Sequence, residues 1–265
     1  GAISSVSNGG IYITASGGDA SVGGNLNAQT STSAPIVVKA TANISVTASK
    51  TINTNGGGVV LWSRSGAAES STTVGAIALG NSSQIVTKGG RITLAGSNTN
   101  LVNGIPTGHA YTTTASTGGV QLGTSDLAAD TNILLNSSGG VIELFGQQAG
   151  DTNSWGVIVR GGTKITSGTG TISIDGKANS SSTGNAIEFE NNGTNKISIL
   201  SAATSGTAIS INGVATGTTA ANGGQRGIYT AGAGLTISAT GGGSVSVVGT
   251  AAVASNSNPG GIYIL

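Results

Sequence analysis

A glycine-punctuated unit of two short β-type runs recurs along the chain and constrains its fold more than any other feature. Three passages align by eye: GAIALGNSSQIVTKGGRITLAG at 75–96, GVIVRGGTKITSGTGTISIDG at 156–176 and GIYTAGAGLTISATGGGSVSVVG at 227–249. Such a short unit cannot bury its own apolar face, so it must stack on its neighbours. The repeat therefore predicts an all-β solenoid in which inward Ile, Val and Leu form ladders along the axis.

The expected architecture is a right-handed parallel β-helix of roughly ten irregular coils with polar loop inserts. The handedness follows from the general crossover preference, and ten coils about 4.8 Å apart would form a rod of roughly 50 Å. The inserts, at 97–117, 147–154 and 214–225, interrupt the rhythm of the repeats. Inserts in repeat folds tend to emerge on one face, and that face often binds a partner.

A β-sandwich or barrel is the competing all-β interpretation, and it favours two-residue Asn-Gly or Asp-Gly hairpin turns. Such turns are sparse in this sequence. Glycines stand instead in pairs or triplets at the bends 56–58, 89–90 and 241–243, where a solenoid corner needs positive φ. The placement of the glycines favours the solenoid.

Composition narrows the classes of function. The chain has 47 glycines in 265 residues, 7% charged residues, a net charge of +1 and no cysteine. This is a repetitive, fibrous composition without the three-residue period of collagen. No run of basic residues predicts a nucleic-acid partner, and no apolar stretch approaches the roughly 18 residues of a membrane span. We expect no metal and no cofactor.

Phrases such as ITSGTGTISIDG and IVTKGGRITLAG resemble the haemagglutinin-type repeats of large secreted bacterial adhesins, the filamentous-haemagglutinin-like proteins. The resemblance covers about two thirds of the chain. It implies a right-handed parallel β-helix at the cell surface that serves as a structural fibre or adhesin stalk. It carries no shared catalytic motif, and the secretion-signal stretch of that family is not found here.

The phrase GGIYI occurs near both ends of the chain, at 9–13 and 260–264. Alternation points its isoleucines inward and its tyrosine outward, and neither end carries a polar cap of the kind that blunts a solenoid edge. Residues 1–265 therefore read as a single β-solenoid segment, one module of a longer chain or filament that stacks head to tail with copies of itself or adjacent repeats. Six residues are predicted to take part in this stacking: Ile11, Tyr12, Ile13, Ile262, Tyr263 and Ile264.

A carbohydrate- or receptor-binding adhesin domain is the alternative function. Exposed aromatic side chains near the inserts would contact a glycan or protein receptor. Trp62, His109, Tyr111 and Trp155 are the candidate ligand-face residues. His109 is the only histidine, and without cysteine or a second histidine it predicts neither a zinc site nor a triad, so we expect it to be a polar loop residue.

A polysaccharide-active β-helix enzyme is the third interpretation, and it needs carboxylates that converge with a basic residue. Glu188 and Glu190 lie on one strand face, opposite Ile187 and Phe189. Asp126 and Asp130 lie four residues apart in an expected loop. We predict that the glutamates point into water and that the aspartates belong to a solvated loop, so no catalytic residue is assigned and the chain is not expected to be an enzyme.

Overall fold

The structure, a computed structural model, describes residues 3–4, 9–30, 32–124, 131–149, 152–179, 183–191, 195–217, 225–232, 234–251 and 260–264. Every regular element in these ranges is a β-strand. In chain order the strands are β1 (Ile3–Ser4), β2 (Ile11–Ala15), β3 (Ala20–Val22), β4 (Leu26–Ala28), β5 (Ile36–Ala40), β6 (Ile44–Val46), β7 (Thr51–Thr54), β8 (Val59–Ser63), β9 (Ile77–Leu79), β10 (Gln84–Val86), β11 (Ile92–Val102), β12 (Ile105–Gly108), β13 (Ala110–Thr112), β14 (Gly118–Leu122), β15 (Leu134–Asn136), β16 (Ile142–Gln148), β17 (Thr152–Arg160), β18 (Lys164–Thr166), β19 (Ile172–Ala178), β20 (Thr183–Glu190), β21 (Ile197–Ser201), β22 (Thr207–Ala215), β23 (Ile228–Ala231), β24 (Leu235–Ala239), β25 (Ser244–Ala251) and β26 (Ile262–Ile264).

The strands form three sheets of parallel strands, and the chain visits the sheets in the same order in each coil. Sheet A contains β1, β4, β7, β10, β15, β18, β21 and β24; sheet B contains β2, β5, β8, β11, β16, β19, β22 and β25; sheet C contains β3, β6, β9, β14, β17, β20, β23 and β26. The predicted parallel β-solenoid is confirmed. The described residues make eight coils, where the sequence predicted roughly ten. At the usual strand spacing, eight coils are roughly 35 Å long. The number is lower because the inserts contain residues that two further coils would need.

Apolar side chains run through the interior as axial ladders. Alternation along each strand points every second residue inward, and successive coils place these residues in register. One ladder of sheet B consists of Ile11, Ile36, Val59, Ile92, Ile142, Ile172, Ile209 and Val245. Most of its members are fully buried, so stacking provides the core that no single coil could form.

The corner between sheets A and B explains much of the glycine content. A serine or threonine hydroxyl donates to the carbonyl oxygen of the glycine three residues later, as in Ser137 to Gly140 and Ser167 to Gly170, each at 2.6 Å. The first glycine of a corner pair takes positive φ, as Gly89 does at 113°. A Cβ at the second glycine would approach the backbone of the preceding coil closer than 3.0 Å. The predicted glycine corners are confirmed.

The insert 97–117 is a β-structured excursion and not a polar loop. β12 pairs antiparallel with β11, and β13 pairs parallel with β16 on the side of sheet B. This strand pairing satisfies backbone groups of the insert and holds side chains of the insert at fixed positions beside the sheet.

Candidate functional site

Arg64 anchors the insert to the coil that precedes it. Its fully buried guanidinium donates through Nη1 to the carbonyl oxygen of His109 at 3.2 Å, and through Nη2 to the carbonyls of Ala68 at 2.8 Å and Ser71 at 2.5 Å. The guanidinium carbon also lies 5.0 Å from the centre of the Tyr111 ring. One side chain thus fixes both the turn after β8 and the insert.

His109 joins the insert to sheet B through a group of charged side chains, Glu69, His109, Asp175 and Lys177, called here the His109 cluster. The imidazole Nδ1 lies 2.6 Å from Glu69 Oε1, and Nε2 lies 3.4 Å from Asp175 Oδ1. The backbone N–H of His109 donates to Glu69 Oε2 at 2.9 Å, and Lys177 Nζ lies 3.6 Å from Glu69 Oε1. With a carboxylate at each ring nitrogen, the doubly protonated imidazolium fits this position.

The electrostatics of the His109 cluster favour its charged form. Burial would lower the pKa of His109, but hydrogen bonds to Asp175 and Glu69 raise it above its ordinary value. Burial would likewise raise the pKa of Glu69, yet the hydrogen bonds and charge of His109 together with Lys177 lower it to about 2. Glu69 is therefore an anion held between the His109 and Lys177 cations, and the ion pairs of the cluster tie three distant segments together.

An open cavity of about 380 Å³ lies beside the His109 cluster on the outer side of sheet B. Its lining residues are polar or charged: Glu69, Ser70, Thr99, Gln147, Lys177 and Asn179. Gln147 and Lys177 are in register on neighbouring strands β16 and β19, and Thr99 belongs to the insert. We call this cavity the insert cleft.

The four predicted ligand-face residues do not form one exposed surface. His109 and Tyr111 are buried, and Trp62 and Trp155 are partly buried. Trp62 lies under Lys39, whose Nζ is 4.4 Å from the ring centre, and its Nε1 donates to the carbonyl of Ser97 at 2.6 Å. Trp62, His109 and Tyr111 hold the insert in place, and Trp155 lies on sheet C. The expectation that His109 is a polar loop residue is wrong, because the insert and two carboxylates enclose it.

The expectation that Glu188 and Glu190 point into water is also wrong. As alternation predicted, Ile187 and Phe189 point into the core and the two glutamates point away from it. Glu188 is nevertheless buried against the outer side of sheet C. It accepts hydrogen bonds from Trp155 Nε1 and from Asn185 Nδ2. Burial raises the pKa of Glu188, against the effect of these two bonds.

The second glutamate of this strand, Glu190, has a basic partner. Arg160 Nε lies 2.7 Å from its Oε2, and Arg160 Nη1 donates to the carbonyl of Gly123 at 3.0 Å. Arg160 is buried and is in register with Glu190 on the neighbouring strand. These groups therefore satisfy one another, and neither glutamate lines the insert cleft. Asp126 and Asp130 lie outside the described residues.

The residues predicted to stack end to end lie in the terminal strands, but in different sheets. Ile11, Tyr12 and Ile13 lie in β2, the first strand of sheet B, whereas β26, with Ile262, Tyr263 and Ile264, is the last strand of sheet C. The two GGIYI phrases therefore do not hold equivalent positions in the coil. Tyr12 points outward with 68% of its surface exposed, and Tyr263 stacks on Tyr229 with ring centres 5.8 Å apart.

Sequence reasoning missed Glu69, Asp175 and Lys177. Alternation along β19 places Asp175 and Lys177 outward, which is a usable signal, since charged residues are scarce in this chain. Nothing local connects them with His109, because Glu69 lies 40 residues and Asp175 lies 66 residues from it in sequence.

Comparisons of the chain with protein-family models, with curated proteins and with solved structures found no match. Within the described ranges, no helix is long and apolar enough to cross a membrane. Among the described residues, no group of three or more His, Asp or Glu side chains has an arrangement that could hold a metal ion.

Proposed function

We propose that this chain is a non-enzymatic structural β-solenoid that forms part of an extracellular bacterial fibre or adhesin stalk, and that it is extended at its ends by further coils. The observation that carries the proposal is the apolar surface at the last coil. A low charge content and the resemblance of the repeats to haemagglutinin-type repeats support an exported structural role.

The last coil leaves inward-facing aliphatic side chains uncovered. Val245 and Val247 are 42% and 36% exposed, although the residues in register with them in the coil before, Ile209 and Ile211, are fully buried. In sheet C, Ile262 is 43% exposed whereas Ile228 is 2% exposed. Fully burying such a side chain contributes about 1.5–3 kcal/mol, so covering the exposed two fifths of each one contributes roughly 0.6–1.2 kcal/mol, which favours a covering coil.

The backbone of the same coil also offers edges for pairing. In the part of the chain that the structure describes, β24, β25 and β26 each have a strand neighbour on one side only. Because all axial strands are parallel and every coil visits sheets A, B and C in that order, a further coil can add to all three edges at once. Such a coil would come either from the same polypeptide or from a second copy docked head to tail through β1, β2 and β3.

Self-association of the 265-residue chain tests the version of the proposal in which a second copy docks head to tail. We expect its sedimentation to show end-to-end oligomers that grow with concentration, and we expect the double substitution Val245→Asp with Val247→Asp to abolish them. Ser246→Asp is the matched control, since it adds a charge to the outward face of the same strand. Association that Ser246→Asp disrupts as strongly as the double substitution would contradict stacking through the core. A chain that stays monomeric would contradict docking of a second copy.

A further inference from the structure

The insert cleft contains a polar side chain that the fold buries without giving it a partner. Gln147 is only 8% exposed, yet its side-chain amide makes no hydrogen bond to any other described residue. Because Gln147 lines the open cavity, its amide meets solvent there, and its two donor protons and its acceptor oxygen are available to a ligand. A ligand in the cleft can therefore hydrogen-bond to this amide without displacing a bond that the fold itself uses.

Lys177 supplies a second set of unused donors. Among the described residues, its one ion-pair partner is Glu69, at 3.6 Å, beyond ordinary hydrogen-bond length, and 38% of its side chain is exposed. Its ammonium group has three protons, so it retains donors that can reach a ligand in the cleft. Asn179, Ser70 and Thr99 add exposed amide and hydroxyl groups around the same cavity.

The charges in the lining select against a charged ligand. Glu69 remains ionised because the pKa of its carboxyl is lowered to about 2, and it lies in the same lining as Lys177. An anionic ligand would be drawn to Lys177 but repelled by Glu69, and the reverse holds for a cation. A neutral ligand whose groups both donate and accept, as sugar hydroxyls do, matches a lining that mixes an ammonium, a carboxylate, two amides and two hydroxyls.

We propose that the insert cleft binds a neutral, hydroxyl-rich sugar unit, with Gln147 and Lys177 as its principal hydrogen-bonding residues. The cavity of about 380 Å³ lies within the range of roughly 300–1,000 Å³ that ligand sites occupy. The site lies on the side of sheet B, not at the open end of the coils. Sugar binding is therefore a function separate from stacking, and either can fail without the other.

Saturation-transfer NMR with the whole chain tests this proposal. The probes are glucose, galactose, mannose, N-acetylglucosamine, lactose and cellobiose, with glucuronate and N-acetylneuraminate as acidic counterparts. We expect at least one neutral sugar to bind in preference to the acids. Lys177→Met should weaken that binding about tenfold to a hundredfold and Gln147→Leu about threefold to tenfold.

Lys164→Met is the matched control, because it removes the same charge from an exposed position on β18 in sheet A. Circular dichroism of each variant establishes that it is folded. Binding that Lys164→Met leaves unchanged and both cleft variants reduce supports the proposal. Failure of every neutral sugar to bind, preference for an acidic sugar, or binding that folded cleft variants retain in full would each overturn it.

Discussion

Replacing Gly170 with alanine tests whether the corner between sheets A and B dictates the spacing of the coils. Gly170 has no positive φ, so the substitution introduces no dihedral strain of its own. A Cβ at this position would lie closer than 3.0 Å to the carbonyl oxygen of Gly140 in the preceding coil. That oxygen belongs to the backbone and itself accepts the hydroxyl of Ser137, so it cannot move away freely.

The size of the effect follows from two opposing contributions. Forcing a methyl group into a packed site typically lowers the free energy of unfolding by about 1–3 kcal/mol. We expect Gly170→Ala to reach the upper end, about 3 kcal/mol, because the atom in the way is a backbone oxygen. The alanine also restricts the unfolded chain, which returns about 0.4–1 kcal/mol. A net loss of about 2 kcal/mol lowers the melting temperature of a chain of this size by roughly 4–8 °C.

Thermal unfolding followed by far-ultraviolet circular dichroism measures this difference. Gly23→Ala is the control, since Gly23 also lacks positive φ and a Cβ there would meet nothing within 4 Å. We expect Gly23→Ala to melt at the wild-type temperature or slightly above it. If Gly170→Ala and Gly23→Ala melt at the same temperature, the corner does not require a side-chain-free residue and the reasoning is refuted.

Two further predictions concern the core ladder and the His109 cluster. Ile211→Ala should lower the free energy of unfolding by about 2–5 kcal/mol. Val247→Ala in the same ladder should lower it by under about 1 kcal/mol in the isolated chain, because Val247 is partly exposed. Equal losses for the two variants, measured by chemical unfolding, would contradict the ladder. Because the pKa of Glu69 is lowered from 4.5 to about 2, its contribution is present above pH 4.5 and lost as the pH falls towards 2. Because the pKa of His109 is raised above 6.5, its contribution is present below pH 6.5 and lost as the pH rises through the raised value. Unfolding of Glu69→Gln and His109→Gln across this range should show a reduced dependence on pH, and an unchanged profile would contradict the assignment.

The coil itself could be predicted because its signals are local. Alternation of Ile and Val with small polar residues places inward side chains correctly, and paired glycines after a serine or threonine mark the corners, as at Thr87 with Gly89 and Gly90. Each of these signals lies within a few neighbouring residues of the sequence. The three-sheet solenoid follows once such units are stacked.

The candidate site could not be predicted because its residues come from different coils and from the insert. Alternation along β20 correctly predicted that Glu188 points away from the core. Its burial depends on the preceding coil, where Trp155 contacts it, and alternation within one strand carries no information about that contact. Glu69 and Asp175 meet His109 because the insert folds back along sheet B, and its β-pairing has no short-range sequence signal. The unpartnered amide of Gln147 is likewise visible only after the insert is in place.

The most direct test of the account is cryo-electron microscopy of the assembled material, with measurement of the axial length of its rods. Extension by further coils predicts rods in which rungs about 4.8 Å apart continue past the eighth coil without a break. In such rods, new strands would cover Val245, Val247 and Ile262. Discrete particles of roughly 35 Å, with the apolar end covered by an element other than a β-coil, would contradict the account.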